Sequence, residues 1–314
     1  MVKASPQTLP AGPVVLTGAA GRAGRAALKH LLEHGYEVIA VDTQPIPAPV
    51  AGLEGEFPGS LKAVLRADLT DLGQTLEVMH GAGSVVHLAN IPAPDLQAPH
   101  HTFVQNVTMN HSVFTAATML GLGRVVWASS ETTLGLPFEV PPQYAPVDEA
   151  HYPHPESSYA LSKVVTETMA EDFARHSGIP FVALRFSNIL GPEEYRRFPE
   201  LAWPDPHARK WNLWGYIDER DAALACRLAL EVPLTGALAG ASSFIIAAAD
   251  TVMPQPSRTL MEQVFPGVPL RESLKDFETL LSIDHARDQL GFEPQHRWRD
   301  TLGEDGTAVQ LSQP

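Results

Sequence analysis

The sequence predicts an α/β protein, a doubly wound parallel sheet with a small C-terminal lobe, and three observations carry that expectation. Short apolar runs ending in Gly, Asp, Asn or Ser alternate with helix-like stretches through most of the chain, the pattern of strands covered on both faces by crossover helices. A glycine-rich turn joins the first such strand to the first helix. The 314 residues are 44% hydrophobic, enough to bury a sizeable core.

Taken in order, the strands are expected at Val14–Thr17, Glu37–Asp42, Val64–Asp68, Ser84–Ala89, Arg124–Ser129, Phe181–Phe186 and Ser243–Ala248. Helices fall between them at Ala23–His34 before Gly35, Leu72–His80, Thr102–Leu120, Ser158–His176 before Gly178, and Asp218–Leu230. Two stretches break the rhythm. Thr43–Gly59 is rich in Pro and Gly and reads as a surface loop. Leu190 to Gly215 combines prolines with Trp203, Trp211, Trp214 and several arginines, which suits a lobe beside the sheet. The tail after Asp250 mixes helix-like and irregular segments, and together these parts could cover the carboxyl ends of the strands, where open α/β sheets bind ligands.

Charge narrows the partners. Lys+Arg 22 against Asp+Glu 36 leaves a net charge of −14, so the surface repels polyphosphate backbones and anionic bilayers, and neither nucleic acid nor membrane is expected as a partner. Cys226 is the lone cysteine, so no internal disulfide can form, which fits a reducing compartment. With no long apolar run anywhere, a soluble cytoplasmic protein is expected. His100, His101, His151 and His154 read as loop histidines, and no metal site is expected.

Thr17-Gly18-Ala19-Ala20-Gly21-Arg22-Ala23-Gly24 follows an apolar strand and opens a helix, the context in which a glycine fingerprint carries meaning. Gly18 and Gly21 allow a tight turn and close backbone approach to a pyrophosphate, whose charge the helix N-terminus favours. Gly24 lets helix and strand pack closely. The sheet is therefore expected to be Rossmann-like, with residues 1–187 and 216–249 as its dinucleotide domain and residues 188–215 and 250–314 as the lobe. Asp42 ends the second strand 24 residues after Gly18, near the distance at which an acid meets an adenosine ribose diol. This favours NAD, although Arg22 and Arg25 leave NADP open. Asp68 and Asn90 also sit at strand carboxyl ends.

Tyr159 and Lys163 stand four residues apart, so a helix presents both on one face. A nearby ammonium favours the phenolate and makes tyrosine a usable base. Ser130, at the end of the fifth strand, could hydrogen-bond the same substrate oxygen.

These residues resemble the extended short-chain dehydrogenase/reductase family, which includes NAD-dependent sugar epimerases, dehydratases and uronate dehydrogenases. The likeness runs from Thr17–Gly24 through Asp42, Asp68-Leu69-Thr70-Asp71, His87-Leu88-Ala89-Asn90, Asn106-Val107, Ser129-Ser130, Tyr159 with Lys163 and Arg185-Phe186-Ser187-Asn188 to Tyr216-Ile217-Asp218 and Asp221. The resemblance implies that Gly18, Gly21 and Gly24 cradle the pyrophosphate beside Arg22, Asp42 holds the adenosine ribose, and Asp68 with Leu69 holds the adenine. It implies that Leu88, Ala89 and Asn106 line the inner cofactor site and that Lys163 holds the nicotinamide ribose. Tyr159 would then be the base, assisted by Ser130, while Asn90, Glu131 and Asn188 would face substrate. Asn90 stands where many relatives have Ala, and Glu131 is not followed by the second acid of the dehydratases. The family also suggests a homodimer through the Thr102–Leu120 and Ser158–His176 helices.

The span from Asn188 to Tyr216 is 28 positions, short for a nucleotide clamp. Gly191-Pro192-Glu193-Glu194-Tyr195-Arg196 is similar to the uronate dehydrogenase segment, which makes Arg196 or Arg197 a candidate carboxylate anchor. Trp211 and Trp214 could stack on a sugar or simply pack. The expected function is NAD-dependent oxidation of a sugar or sugar acid, with nucleotide-sugar epimerase as the alternative and a non-catalytic NAD(P)-sensing protein as a further one.

Overall fold

The structure is a computed structural model that describes residues 12–46, 56–233 and 239–303. Of the expected loop Thr43–Gly59, residues 47–55 lie outside the described residues, as do 1–11, 234–238 and 304–314 of the expected domains.

Apolar runs become strands β1 (Val14–Thr17), β2 (Glu37–Asp42), β3 (Ser60–Arg66), β4 (Ser84–His87), β5 (Val125–Ser130) and β6 (Phe181–Phe186), a short pair β7 (Ile189–Leu190) and β8 (Ile217–Asp218), and β9 (Ala241–Ile246). Seven of them form one sheet in the order β3-β2-β1-β4-β5-β6-β9, and β7 pairs with β8 separately. The pairs β1–β2, β1–β4, β2–β3 and β4–β5 run parallel. Every residue of β1 and β4 is buried, as strands covered on both faces require. The strand order reverses between β1 and β4, so the switch point lies beyond Thr17 and His87, which are register partners.

Helices α1 (Arg22–Glu33), α2 (Leu72–Met79), α3 (Pro99–Leu120) and α4 (Ser158–Ser177) follow, then short α5 (Pro192–Tyr195) and α6 (Phe198–Leu201), α7 (Glu219–Glu231), α8 (Ser257–Val264) and α9 (Asp284–Leu290). Their ends have local causes. Asp71 caps α2 by accepting from Gln74 N, Ser157 caps α4 by accepting from Ala160 N, and Gly178 closes α4 in the left-handed conformation. Helix α3 starts at Pro99, ahead of the expected Thr102, because proline suits a first helical position that needs no N–H partner.

Four strand expectations shift: β5 (Val125–Ser130) lies one residue beyond the expected Arg124–Ser129, β9 (Ala241–Ile246) lies two residues before the expected Ser243–Ala248, and β3 and β4 differ for local reasons. β3 begins at Ser60 rather than Val64, because it is an edge strand: polar Ser60 and Lys62 face water, Lys62 pairs with Glu37 at 2.5 Å, and Val64 is 49% exposed. β4 stops at His87 because the chain beyond it turns to the end of β1, where Leu88 N donates to Thr17 O and Ala89 N to Thr17 Oγ1.

The chain divides into two compact units. The first holds the described residues up to Ser129, with Ser157–Leu184 and Ala223–Ser243; the second holds Ser130–Glu156, Arg185–Ala222 and the described residues from Phe244. In the first, Phe114 of α3 meets Phe181 edge-on at 4.8 Å and Trp127 at 5.7 Å, at the centre of a core that packs α3 and α4 on the sheet. Buried Arg124 donates to Ala229 O and Val232 O, so a cation satisfies carbonyls at the end of α7. In the second unit Tyr195, Phe198, Trp214, Tyr216 and Trp298 form one cluster, with Trp214 Nε1 donating to Pro206 O at 2.7 Å. Packing is therefore the role of Trp214, while Trp211 is partly buried against the same cluster. No helix among the described residues is long and apolar enough to cross a membrane, and none of their His, Cys, Asp or Glu side chains form a metal-holding group of three.

Candidate active site

In the first unit the glycine turn is held by contact as well as by conformation. Gly18 has φ +70°, and a Cβ there would lie 2.7 Å from Ala89 N. A Cβ on Gly24 would lie 2.0 Å from Gly18 O. Only glycine lets the end of β1, the start of α1 and the segment after β4 approach so closely. No side chain caps α1 at Gly21, so this helix start is left to favour an anion from outside the chain. Arg22 opens α1 on the exposed surface, and Arg25 Nη1 donates to Ala20 O at 2.6 Å.

Asp42 at the end of β2 accepts from Ala20 N and Gln44 N, both at 2.9 Å, one on each carboxylate oxygen. Each oxygen keeps a further lone pair, so the group can still take hydroxyl donors. Asp68 accepts from Thr70 N and Thr70 Oγ1 in a local turn, and the neighbouring Leu69 is buried in the core. A glycine cradle that any Cβ would fill, an uncapped helix start and an acceptor at the β2 end fit the pyrophosphate and ribose of a dinucleotide.

Beyond β4, Leu88 and Ala89 are half-buried. Asn106 grips the next turn as a strand would: its Oδ1 accepts from Ile91 N at 2.8 Å and its Nδ2 donates to Ile91 O at 3.1 Å. Asn90 Oδ1 accepts from Asn110 Nδ2 at 3.2 Å, so its side chain is engaged with α3. Beneath them His87 Nδ1 lies 2.7 Å from Thr17 Oγ1, and burial, aided by the Lys163 charge, pushes this imidazole down to about 3 and keeps it neutral.

Ser157 starts α4 two residues before Tyr159, which sets Tyr159 and Lys163 one turn apart. Both are buried, and the Lys163 ammonium lies 5.5 Å from the Tyr159 ring centroid. Lys163 Nζ donates to Ala128 O of β5 at 2.7 Å. Burial lowers its pKa to about 7, with the Glu167 carboxylate acting the other way.

The remaining candidates belong to the second unit. Ser130 Oγ accepts from Thr132 N at 3.2 Å and Thr132 Oγ1 at 3.0 Å at the head of a 3-10 turn over Glu131–Leu134. Its own proton stays available to a ligand. Glu131 is buried, accepting from Ser187 Oγ at 2.5 Å and Asn212 Nδ2 at 3.1 Å. Burial pushes this carboxyl up to about 7, against those hydrogen bonds and the Arg209 charge. Asn188, between β6 and β7, is half-buried, and its carbonyl accepts from Ile217 N at 3.0 Å. Arg196 is exposed and donates to Glu193 at 3.1 Å, while buried Tyr195 donates to Asp218.

Within the first unit the structure thus brings together Gly18, Gly24, Leu88 and Ala89, joins Asn90 and Asn106 through Asn110, and pairs Tyr159 with Lys163. Asp68 is tied only locally, and Arg196 stands apart from Glu131 with its own carboxylate partner. Sequence reasoning passed over Asn110, Glu167, Arg209 and Asn212, and gave no role to His87 and Ser187, which it noted only as parts of longer segments. Only Glu167, at helical spacing from Lys163, left a local signal.

A model of the NAD dependent epimerase/dehydratase family matches residues 14–234. A protein of Haloferax volcanii, NAD-dependent glucose-6-phosphate dehydrogenase, is 31% identical over 59% of this chain and 72% of its own length. UDP-glucose 4-epimerase of Azospirillum brasilense is 29% identical over 60% of this chain, which spans about half (52%) of that relative. Among solved structures, MoeE5 in complex with UDP-glucuronic acid and NAD superposes with a TM-score of 0.67 at 23% identity, covering 94% of this chain and 97% of that one. Uronate dehydrogenase from Agrobacterium tumefaciens gives 0.62 at 20% identity, covering 91% and 85%. At such identities the structural likeness is one of fold.

Proposed function

The chain belongs to the NAD dependent epimerase/dehydratase family, and from that premise we propose that it oxidises a hydroxyl of a free sugar or sugar acid with Tyr159 as the base. The observation that carries the reading is the buried Tyr159 and Lys163 pair on α4, its ammonium anchored to Ala128 O. Bound NAD supplies the carbon that accepts the hydride. Gly18, Gly21, Gly24 and Arg22 would hold its pyrophosphate, Asp42 the adenosine ribose, Asp68 and Leu69 the adenine, and Leu88, Ala89 and Asn106 the inner part.

Tyr159 takes the hydroxyl proton. The Lys163 ammonium holds the nicotinamide ribose and favours the phenolate, since a positive charge beside a buried phenol stabilises its ionised form. Ser130 donates its free proton to the substrate oxygen, and Asn90, Glu131 and Asn188 shape the substrate side.

The span from Asn188 to Tyr216 supports a substrate without a nucleotide. It is filled by α5, α6 and a 3-10 turn over Pro206–Asn212, and Tyr195, Phe198 and Trp214 are packed into the core. Little chain is left for a clamp. Arg196 offers a carboxylate anchor if it exchanges Glu193 for substrate, which an exposed pair allows at small cost. The name of the Haloferax relative points the same way. The Azospirillum relative favours a second reading, a nucleotide-sugar epimerase using the same Tyr159.

Tyr159→Phe keeps the ring and loses the proton acceptor. It is expected to bind NAD normally and to lose turnover by roughly 10²–10⁴-fold. Full turnover in this variant would remove Tyr159 as the base.

A further inference from the structure

The first unit holds one more charged group built into the frame around Lys163. Glu167 lies four residues beyond it on α4, on the same helical face. Glu167 Oε1 accepts from Ser129 Oγ at 2.6 Å, and Ser129 is buried. One residue earlier on β5, Ala128 O accepts from Lys163 Nζ. Strand and helix are thus joined by two adjacent polar contacts, carbonyl to ammonium and hydroxyl to carboxylate. Alternation along β5 puts Ser129 on the same face as Trp127, which packs with Ala170 and Ala174 of α4. The two serines divide the labour: Ser129 serves α4, and Ser130 is left for substrate.

We propose that Glu167, held by Ser129, is a positioning residue that keeps Lys163 in its ammonium form and so maintains the positive charge beside Tyr159. This rests on reading Tyr159 and Lys163 as the catalytic pair. A buried ammonium is unfavourable unless opposite charge stands near it. Around Lys163, α4 itself brings Tyr159 and Glu167, β4 brings the neutral His87, β5 brings Ala128 O, and α3 reaches α4 through the amide of Asn110 on Thr166. The negative charge in this set is Glu167. Burial takes Lys163 down to about 7 even with that carboxylate opposing it, so removing the charge would lower it further and favour the neutral amine.

The test is a titration that needs no substrate. Protein labelled with 13C-lysine is titrated by NMR, following the Cε resonance of Lys163, which is assigned by its loss in Lys163→Met. Glu167→Gln keeps an acceptor for Ser129 while removing the charge, and its Lys163 midpoint is expected to fall by about one pH unit or more. Ser129→Ala, which frees the carboxylate from β5, is expected to give a smaller fall, and Glu167→Asp is expected to restore part of the native midpoint. An unchanged midpoint in Glu167→Gln would overturn the proposal. Turnover of Tyr159→Phe is decided separately: full activity there would remove the catalytic reading and leave the titration result standing.

Discussion

Replacing Glu131 by glutamine should make the protein more stable at neutral and alkaline pH and leave it nearly unchanged in mild acid. Burial raises this carboxyl from its ordinary 4.5 to about 7. A raised pKa means the folded state binds the proton more tightly than the unfolded chain, so the stabilisation is fully present below about 4.5 and is lost as pH rises through 7. At 1.36 kcal/mol per unit, a difference of about 2.5 units corresponds to roughly 3 kcal/mol. Glutamine has the same shape, and its amide can accept from Asn212 Nδ2 and donate to Ser187 Oγ, so both hydrogen bonds survive. Asp250, pushed up to about 6 by burial, titrates in the same range in both proteins and cancels in the comparison. Urea unfolding from about pH 5 to about pH 8 would show the variant pulling ahead by up to roughly 3 kcal/mol. Stability curves that stay parallel across that range would refute the assignment of a buried, protonated Glu131.

Asp42→Ser should erode the preference for NAD(H) over NADP(H), and because Asp42 also accepts from Ala20 N and Gln44 N it should weaken NAD binding about tenfold, measured by cofactor titration. Gly24→Ala places a Cβ 2.0 Å from Gly18 O, so a loss of roughly 1–3 kcal/mol in thermal or urea unfolding is expected, together with weaker NAD binding. Arg196→Ala should lower kcat/KM for a uronate by about tenfold, the low end for a charged hydrogen bond given its exposure, and leave a neutral aldose almost unaffected.

Much of the fold was legible because its causes are local. β1, β2 and β6 are continuous apolar runs between turn residues, and their observed bounds are the expected ones. The glycine turn announces itself because a positive φ at Gly18 and the close approach at Gly24 demand glycine at those positions. β3 was misplaced because a solvated edge strand has no apolar run to read. Around Glu131 the partners lie 56 and 81 positions away, at Ser187 and Asn212, and no spacing rule connects them. The segment around Arg196 shows the limit of reading neighbours together: Tyr195 turns inward to Asp218 while Arg196 turns outward to Glu193.

The central claim is tested most directly by mixing the protein with NAD⁺ and, in turn, aldoses, uronates and UDP-sugars, while following the absorbance of the reduced nicotinamide. The account predicts that NADH accumulates with a free sugar or sugar acid and not with a UDP-sugar. Interconversion of UDP-sugar epimers without net NADH, together with silence from every free sugar, would contradict it.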